Sequence, residues 1–442
     1  MPKDTKTLGN SKARACESLG FVHKKGCARV LTQPLKKINT MKTLFFVLFT
    51  ILICACSNER KSEALKIQKI DLSEMSFNSS LKLSSFAESI EIIPLETTSQ
   101  SLIGEIRKIY YRNGRYYMLV TNGLANARAL VFTEQGKFLY ELDRLGQGKG
   151  EYIEMGTFVL MPNADMKVLG WNKTVTYDSI GNYLYESPMP YYAHDAVAFS
   201  DGSYVLRHTN LGGLPNKGLY AFTEKDEELT SFLEISPVEK TKLSHFLNWN
   251  AFSTYDGKSY FTYSHADTIY SLDVDKATPA FYFDFGKYKV DYSEVEPTDD
   301  MIAIDKKITN KEYVTLWSFQ FYSDMLMLGL GLGLDNKTSL CFYSLKTGRF
   351  VNGIRIVDDM YFKNNILKLK YTNLPHIVID GYLYAPISPT VLIGGYNNSK
   401  HNMSSKEWNE FRNKHANLVD LCENMSEEDN PVLLRIKLKK IE

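Results

Sequence analysis

The fold is decided by three neighbouring runs, Arg115-Tyr116-Tyr117-Met118-Leu119-Val120, Ala129-Leu130-Val131-Phe132 and Lys137-Phe138-Leu139-Tyr140-Glu141-Leu142. Aromatic and aliphatic residues of these types favour strands, and short runs separated by polar residues and glycine are typical of antiparallel hairpins. The same pattern continues to about residue 393, for example in Ser259-Tyr260-Phe261-Thr262-Tyr263. Helical periodicity is scarce before that point. The sequence therefore predicts an all-β fold.

Short turns containing glycine recur between these runs. Examples are Tyr111-Arg112-Asn113-Gly114-Arg115-Tyr116, Phe199-Ser200-Asp201-Gly202-Ser203-Tyr204 and Tyr255-Asp256-Gly257-Lys258-Ser259-Tyr260. Glycine supplies the positive φ that tight hairpins need. Repeated hairpins indicate a radial architecture, and a propeller removes free sheet edges by closing a ring of four-stranded antiparallel blades. The length after residue 55 suits a six-bladed β-propeller at about 50 residues per blade, with five or seven blades left open.

The pattern changes near the C-terminus. Ser404-Ser405-Lys406-Glu407 matches a capping box, and apolar residues follow at helical spacing up to Cys422. The sequence predicts one amphipathic helix of about five turns. Of two interpretations, a helix packed on the propeller is favoured over a partner-binding arm. Residues 430–438 then alternate like a strand. We expect this strand to pair with an early segment and close the ring.

The net charge of +1 hides an uneven distribution along the chain. Residues 1–56 contain ten Lys or Arg residues against only Asp4 and Glu17. The rest of the chain therefore has a net charge of about −7 and lacks clusters of basic residues interleaved with aromatic ones, which nucleic-acid-binding proteins use to hold phosphates. The sequence predicts no nucleic-acid partner.

A basic flank and an apolar run indicate a targeting segment. Lys42 precedes the ten-residue run 44–53, which is too short to cross about 30 Å of hydrocarbon as a helix. The run ends in Ile53-Cys54-Ala55-Cys56, which resembles the lipobox of bacterial lipoproteins. The resemblance implies cleavage before Cys56 and lipidation of its thiol, so that membrane lipid is a partner. The alternative is a short buried helix with two incidental cysteines.

This signal divides the chain into four segments. Residues 41–55 form a complete signal peptide beginning at Met41, so residues 1–40 are interpreted as an extension upstream of the true start. The alternative for residues 1–40 is an unusually long basic region of the signal. Residues 56–66 form the lipidated cysteine and a flexible tether, and residues 67–442 form the propeller.

Two further cysteines remain in the propeller. Cys341 and Cys422 could form a disulfide. However, Cys341 lies in an apolar strand pattern and Cys422 on the predicted helix, so we favour two free, buried thiols.

Three stretches resemble a known family. They are Ile92-Ile93-Pro94-Leu95-Glu96-Thr97-Thr98, the segment from Phe132 to Tyr152 with its Gly146-Gln147-Gly148-Lys149-Gly150 loop, and Asn430-Pro431-Val432-Leu433. They are similar to the six-bladed β-propeller lipoproteins of Gram-negative anaerobes, although that family usually has proline where Lys149 stands. The resemblance implies a six-bladed, NHL-like propeller. We expect an outer-membrane lipoprotein, with the periplasmic and external faces both open.

A few residues are candidates for facing a ligand. His194-Asp195 and His265-Ala266-Asp267 lie near predicted strand ends, where propeller loops converge on the central channel. His194, Asp195, His265 and Asp267 are therefore candidates, although a histidine beside an aspartate is more often a loop hydrogen bond than half of a catalytic pair. Trp171 is a further candidate, because an exposed aromatic ring can stack on a sugar, although aromatic residues at strand spacing usually lie in a core.

Other motifs favour a structural role. The loop 146–150 lacks the Gly-Lys-Ser/Thr of a Walker loop and is interpreted as a turn between blades. The pairs Asp299-Asp300 and Asp358-Asp359 do not follow EF-hand spacing and are interpreted as solvated turns rather than calcium sites. Neither Gly-x-Ser-x-Gly nor His-Glu-x-x-His occurs. The sequence predicts no catalytic residue, metal or cofactor.

Together these patterns predict a lipid-anchored propeller of the cell envelope that acts as a binding or scaffolding module for a carbohydrate or protein ligand. The alternative is a hydrolase or lyase that acts on glycans or peptides at the mouth of the central channel. Convergent histidines, carboxylates or arginines in the channel would favour the enzyme, whereas an aromatic or polar flat face would favour binding.

Overall fold

A computed structural model describes residues 67–122, 127–208, 217–235, 250–263, 266–308, 312–333, 337–361 and 377–441. The predictions for residues 1–66, including the signal peptide and Cys56, lie outside these residues, as does His265. Within the described ranges, no helix has the length and apolar character needed to span a membrane. The described strands form six blades of four antiparallel strands each, which make up a propeller; one blade gains a fifth, parallel strand, and two further strands form a separate parallel pair. The predicted fold is confirmed.

The first half of the chain contains blades 1 to 3, whose strands pair in chain order. Before them come β1 (Gln68–Asp71), β2 (Ser80–Lys82), the short helix α1 (Leu83–Phe86) and β3 (Ala87–Pro94). Blade 1 contains β4 (Glu105–Arg112), β5 (Arg115–Thr121), β6 (Arg128–Thr133) and β7 (Phe138–Leu142). Blade 2 contains β8 (Met155–Leu160), β9 (Met166–Gly170), β10 (Lys173–Tyr177) and β11 (Tyr183–Pro188). Blade 3 contains β12 (Ala193–Ala198), β13 (Tyr204–His208), β14 (Lys217–Phe222) and β15 (Glu228–Glu234).

The second half contains blades 4 to 6 and most of the described helices. Blade 4 contains β16 (Phe252–Tyr255), β17 (Lys258–Phe261), β18 (Thr268–Asp273) and β19 (Lys276–Asp284), and a 3₁₀ turn (Gly286–Tyr288) and α2 (Met301–Lys307) follow it. Blade 5 contains β20 (Val314–Tyr322), β21 (Met325–Leu332), β22 (Lys337–Ser344) and β23 (Phe350–Gly353), followed by β24 (Arg355–Val357). Blade 6 begins with β25 (Ile377–Ile379) and β26 (Tyr382–Ile387). The chain ends with α3 (Pro389–Asn402), α4 (Ser405–Lys414), α5 (Ala416–Asn424) and β27 (Val432–Leu438).

Tight turns connect the first two strands of blades 1, 4 and 6. In Asn113-Gly114, Asp256-Gly257 and Asp380-Gly381, the first residue has φ between 50° and 52° and the glycine has φ between 70° and 78°. Positive φ at both central residues is the signature of a type I′ turn, whose twist matches that of the flanking strands. The turns predicted at residues 111–116 and 255–260 are therefore confirmed.

Inner strands of the blades are buried on both faces because neighbouring blades pack against each other. Every residue of β8 and β9 is buried. Between blades 1 and 2, Tyr117 and Val131 pack in one cluster with Phe158 and Val168. Burying an apolar side chain of this size stabilises the fold by about 1.5–3 kcal/mol. The aromatic runs in the sequence are thus the contacts between blades.

The ring is closed by pairing the last strand with an early one, as the sequence predicts. β27 pairs antiparallel with β3, with Leu433 opposite Ile93. Asn430, which is 2% exposed, holds the adjacent loop: its Oδ1 accepts from the backbone N of Ile103 at 2.8 Å, and its Nδ2 donates to the carbonyl oxygens of Glu96 and Ser101 at 2.9 and 2.8 Å. These bonds connect the two chain-end stretches on which the family resemblance rests.

Residues 67–94 run along the outer edges of three blades. β1 pairs in parallel with β19 of blade 4, β2 pairs in parallel with β24, and β3 is the outermost strand of blade 6. Within the described chain, no strand covers the outer strands of blades 1 to 3. Each of these strands exposes a leucine at its second position: Leu139, Leu184 and Leu229 are 42%, 45% and 50% exposed. The outer edge of the ring is therefore lined by residues 67–94 at blades 4 to 6, whereas blades 1 to 3 expose the leucines of their own outer strands.

The helical region before β27 is confirmed, but the single predicted helix is wrong, since the described residues form three helices there. The capping box is present, with the Ser404 backbone N donating to Glu407 Oε2 at 2.9 Å. The backbone at His415, with φ −123° and ψ 40°, is not helical and separates α4 from α5. Gly394 and Gly395 interrupt the apolar spacing of α3, so periodicity alone did not indicate that helix.

These helices pack on the propeller. Leu392, Phe411 and Leu418 are buried in one cluster with Phe342 of blade 5 and Leu434 of blade 6. This arrangement matches the interpretation of a packed helix rather than a partner-binding arm.

The two cysteines in the described chain are both free and buried. Burial raises the pKa of the Cys341 thiol well above its usual range and raises that of Cys422 to about 12. The prediction of two free, buried thiols is confirmed.

A fully buried ion pair joins blade 2 to blade 3. Lys167 Nζ of β9 lies 2.5 Å from Asp226 Oδ1, and neither side chain is exposed. The same carboxylate accepts hydrogen bonds from Tyr204 Oη at 2.7 Å and Thr174 Oγ1 at 2.8 Å. Lys167 also donates to the Glu224 carbonyl oxygen at 3.1 Å. Every charge in this pair is satisfied by a partner from the neighbouring blade.

Candidate functional site

The first strands of all six blades line a central cavity of about 890 Å³. At one end, the cavity is lined by Lys108, Ala196 and Asn250. At the other end, it is lined by the turns that follow the first strands, which include Asn113 and Asp256. Because the turns connect each first strand to the second, the cavity opens on the face that carries them. Cavities that bind small molecules usually have volumes of about 300–1,000 Å³.

The cavity lining combines aromatic and polar side chains. Tyr110, Tyr111, Tyr255, Phe321 and Tyr322 supply rings, and Asn250, Thr254 and Gln320 supply uncharged polar groups. The charged Arg112 on the lining donates through Nη1 to the carbonyl oxygen of Pro162 at 2.6 Å. This carbonyl oxygen fixes the position of the Arg112 guanidinium, which keeps its charge, and Asp256 and Asp380 add carboxylates to the lining.

A buried ion pair crosses the channel at the inner end of the cavity. Lys108 of blade 1 donates to Asp195 Oδ1 of blade 3, and Asp195 Oδ2 accepts from the backbone N of Ala251, next to blade 4, at 2.8 Å. Burial by itself lowers the pKa of Lys108, but the Asp195 carboxylate outweighs it and raises the pKa above its usual value. Lys108 is therefore charged at neutral pH and connects blades that are not neighbours.

Bulges in the first strands produce this arrangement. The pairing register shifts between Ile106 and Lys108 in β4, and between Ala193 and Asp195 in β12. A bulge sets two residues against one on the partner strand and re-aims the side chains next to it. As a result, Lys108 donates to Asp195, while the bulged residues Arg107 and His194 lie on the side of the bulges away from this pair.

Beyond the ion pair lies a group of side chains that we call the aromatic–cationic cluster, formed by Arg107, Glu154, Trp171, Tyr192, His194, Arg207 and His208. The ring centroids of Trp171 and Tyr192 are 5.5 Å apart, and those of Tyr192 and His194 are 5.2 Å apart. Tyr192 Oη donates to Glu154 Oε1 at 2.9 Å. Trp171, in the turn between β9 and β10, is 42% exposed. The rings thus lead from the surface towards His194.

The cluster contains charges of both signs, since Glu154 is a carboxylate and Arg107 Nε lies 3.9 Å from Oε2 of the neighbouring Glu105. Burial, together with the nearby charges of Arg207, His208 and Arg107, lowers the pKa of His194 to about 3. His194 is therefore neutral near pH 7, and its imidazole can both donate and accept a hydrogen bond. Arg207 is 1% exposed, whereas the Arg107 side chain is 26% exposed. Arg107 is the more accessible of these two cations.

The structure brings some of the predicted residues together and separates others. Trp171 and His194 share the cluster through Tyr192. Asp195 directly follows His194 in the sequence, but it is 1% exposed and bound to Lys108. Asp267 lies between β17 and β18 of blade 4, with its carboxylate 3.9 Å from Lys289 Nζ. His265 lies outside the described residues. Contact between a ligand and any of the five candidate residues stays a prediction.

Sequence reasoning missed Arg107, Lys108 and Arg207. A signal for all three existed: each is a basic residue within an apolar strand pattern, as in Tyr204-Val205-Leu206-Arg207. A charge in such a position is buried and must have a partner.

The glycine-rich loop is a turn between blades, as interpreted from the sequence. The backbone N of Gly148 donates to Glu151 Oε2, and that of Gly150 donates to Glu186 Oε2, both at 2.8 Å. The protein's own carboxylates therefore occupy donors that a phosphate would need.

The acidic pairs are also structural. Asp300 caps α2 by accepting from the backbone N of Ala303 at 2.8 Å, and Asp299 lies 2.7 Å from Lys307 Nζ. The interpretation of Asp358 as solvated is wrong, since it is 1% exposed and accepts from the backbone N of Tyr361 at 2.8 Å. In the described part of the chain, no three histidine, cysteine or acidic side chains are grouped as a metal site.

Comparisons with known proteins agree with this architecture. Residues 67–437 match a family described as "Domain of unknown function (DUF4934)". The structure is similar to that of a protein from Bacteroides fragilis NCTC 9343 that is named as an exported protein, with a TM-score of 0.62 and 17% identity, covering 84% of this chain and 100% of that one. This likeness shows a shared fold.

More distant similarities include a Bacteroides caccae protein of unknown function, with a TM-score of 0.33 and 12% identity over 55% of this chain and 78% of that one. Another is regucalcin, a calcium-binding protein from Agrobacterium tumefaciens, with a TM-score of 0.37 and 9% identity over 84% and 97%. No curated protein sequence matches the chain.

Proposed function

This chain belongs to the family described as "Domain of unknown function (DUF4934)", and from its propeller we propose that it is a lipid-anchored binding module of the cell envelope. The family description names no activity, so the proposal depends on the residues of this chain. The central cavity would hold the ligand, and Cys56 would hold the lipid. The outer membrane is the proposed site of anchoring.

The cavity is the observation that carries the binding function. It is built from the first strand of every blade, so six separate segments hold its walls in place. Its rings and amides can contact a carbohydrate or a peptide, both of which combine apolar patches with hydrogen-bonding groups. Lys108, the cation at its inner end, is already paired with Asp195. This lining supports recognition of a ligand.

The lipid anchor is supported by the sequence before the propeller. The apolar run 44–53, the Ile53-Cys54-Ala55-Cys56 motif and the polar residues 57–66 stand in the order that a lipoprotein needs. A lipid chain on Cys56 would hold the propeller at a membrane without a spanning helix.

Replacing Cys56 is expected to release the protein from the membrane. We expect wild type expressed from Met41 to fractionate with membranes and to have the mass of a chain that begins at diacylated Cys56. Cys56→Ala removes the thiol that accepts the lipid, so it is expected to stay unprocessed or become soluble. Cys54→Ala is the matched control and should behave as wild type. Equal fractionation and mass of Cys56→Ala and wild type would contradict the anchor.

Filling the cavity is expected to weaken ligand binding. Thr254 lies on the cavity wall and is exposed, so Thr254→Trp should block the cavity without disturbing the core. We expect neutral oligosaccharides or peptides from a defined panel to raise the melting temperature of wild type, with at least tenfold weaker binding to Thr254→Trp. Thr230→Trp, on the outer strand β15, is the control. Equal binding by Thr254→Trp and wild type would contradict a ligand site in the cavity.

A further inference from the structure

We propose that the ligand of the central cavity is a short peptide with both ends free, so that it carries an ammonium group at one end and a carboxylate at the other. This assignment rests on the proposed function, because it names the class of ligand that the cavity binds. Three features of the cavity lining support it: unpaired charges of both signs, a buried amide and a wall of fixed aromatic rings.

The mouth of the cavity is lined by charges that have no counter-charge. Arg112 is the last residue of β4 in blade 1, Asp256 lies in the turn after β16 in blade 4, and Asp380 lies in the turn after β25 in blade 6. Among the described residues, none of the three forms an ion pair, and the two carboxylates accept no side-chain hydrogen bond. Both aspartates are exposed, so an incoming ligand can reach them.

The ring places positive and negative charge on opposite walls. The first strands contact each other in chain order around the channel, so blades 1 and 4 are opposite in a ring of six. Arg112 and Asp256 therefore face each other across the mouth, and a peptide lying across it would place its carboxylate on Arg112 and its ammonium group on Asp256. Asp380 brings the net charge of the mouth to −1, which favours peptides with a further positive charge.

Arg112 is held in place but keeps donors for a ligand. Its Nη1 donates to the carbonyl oxygens of Met161 and Pro162 at 3.3 and 2.6 Å, in the turn after β8 of blade 2. A guanidinium group has five N–H donors, and in the described chain those of Nη2 and Nε have no acceptor. A fixed guanidinium can bind a carboxylate with paired hydrogen bonds and loses little side-chain entropy in doing so.

A buried amide on the lining suits the backbone of a peptide. Gln320 of β20 is 7% exposed and lines the cavity, and no group in the part of the chain that the structure describes forms a hydrogen bond with its side chain. Burying an amide without a partner is unfavourable. A partner can reach this amide from the cavity, and a peptide bond supplies both the donor and the acceptor that it needs.

Aromatic rings near this amide form a surface for an apolar side chain. Tyr255 and Phe321 stack with a centroid distance of 5.6 Å, and Tyr260 supports Phe321 at 4.6 Å. Rings fixed by their neighbours are a preformed apolar surface. A neutral sugar can pack on such rings but leaves the charges at the mouth unpaired. A peptide with free ends has a complementary group for the rings, the amide and the charges.

The test uses a random tripeptide library made in four forms: both ends free, N-acetylated, C-amidated, and blocked at both ends. Each form is incubated with the purified full-length protein in detergent, and the bound peptides are identified by mass spectrometry. The best free-ended member is then measured in all four forms by isothermal titration calorimetry. We expect each block to weaken binding at least tenfold. Because the mouth has a net negative charge, the bound members should be enriched in lysine or arginine.

Variants then assign each end of the peptide to a wall. Arg112→Gln should remove the preference for a free carboxylate and keep that for a free ammonium group, whereas Asp256→Asn should do the reverse. Asparagine tolerates the positive φ of 50° at Asp256 and 51° at Asp380, and Asp380→Asn should reduce the enrichment in basic peptides. Asp275→Asn and Lys346→Gln, at exposed residues of other turns, are controls that should leave both preferences unchanged.

Several results would overturn this assignment. They are peptide binding that the end blocks leave unchanged, the persistence of both preferences in Arg112→Gln and Asp256→Asn, and peptide binding that Thr254→Trp leaves unchanged. If neutral oligosaccharides bind in the cavity but no library peptide does, the proposed binding function stands and the peptide assignment fails. If neither class of ligand binds, both fail.

Discussion

Lys167→Met is expected to lower the free energy of unfolding by about 3–5 kcal/mol, because it leaves the fully buried Asp226 carboxylate without its cation. Neither member of the pair is exposed to water, so solvent cannot replace the missing charge. The methionine has a similar length and is compatible with β9, so the effect isolates the charge from the packing. Urea denaturation of wild type and variant, followed by circular dichroism, measures the change.

Two further variants make this expectation specific. Lys167→Met combined with Asp226→Asn removes both charges and should recover part of the loss, and asparagine tolerates the positive φ of 67° at residue 226. Lys217→Met breaks a pair whose side chains are 36% and 78% exposed, and it should cost no more than about 1 kcal/mol. If Lys167→Met lowered the free energy of unfolding no more than Lys217→Met does, the buried ion pair would contribute little to stability.

Asp195→Ala is expected to have an effect of similar size, about 3–5 kcal/mol, for a related reason. The substitution leaves the Lys108 ammonium buried without a counter-charge and removes the acceptor of the Ala251 backbone N. These contacts join blade 1, blade 3 and the start of blade 4 across the channel. Thermal and urea denaturation should both show the loss, together with a less cooperative transition if the blades separate.

The control for this prediction is the other predicted aspartate. Asp267 forms a pair with Lys289 at 3.9 Å, with side chains 38% and 56% exposed, so Asp267→Ala should change stability by no more than about 1 kcal/mol. Lys108→Met added to Asp195→Ala should recover part of the loss. A stable Asp195→Ala protein would refute a structural role and favour the ligand-facing role predicted from the sequence.

The parts of the fold that follow from local pattern could be predicted from the sequence. Asn113-Gly114 and Asp256-Gly257 indicate hairpins because positive φ at both positions is a local requirement, and the apolar alternation of residues 430–438 indicates the closing strand. β1 and β2 could not be predicted, because strands of four and three residues that pair in parallel with distant partners have no periodicity of their own. The non-helical backbone at His415 likewise has no clear sequence signal.

The candidate sites were predictable only in part. Trp171 and His194 were identified from residue type and their position near strand ends. Their joining through Tyr192, and the pairing of Lys108 with Asp195, depend on bulges and on the closure of the ring. Contacts between residues so far apart in the chain are set by tertiary structure, which a single sequence does not encode in any local pattern.

The placement of residues 67–94 along the outer edges of blades 4 to 6 determines when folding can finish during synthesis. β1, β2 and β3 pair with β19, β24 and β27, so the first strands to leave the ribosome must wait for partners made much later. At roughly 5–20 residues per second, β3 waits on the order of tens of seconds for β27. Until then, Ile92 and Ile93 lie on an unpaired, apolar strand of the kind that aggregates. The last blade therefore cannot be completed until the ribosome has made almost the whole chain.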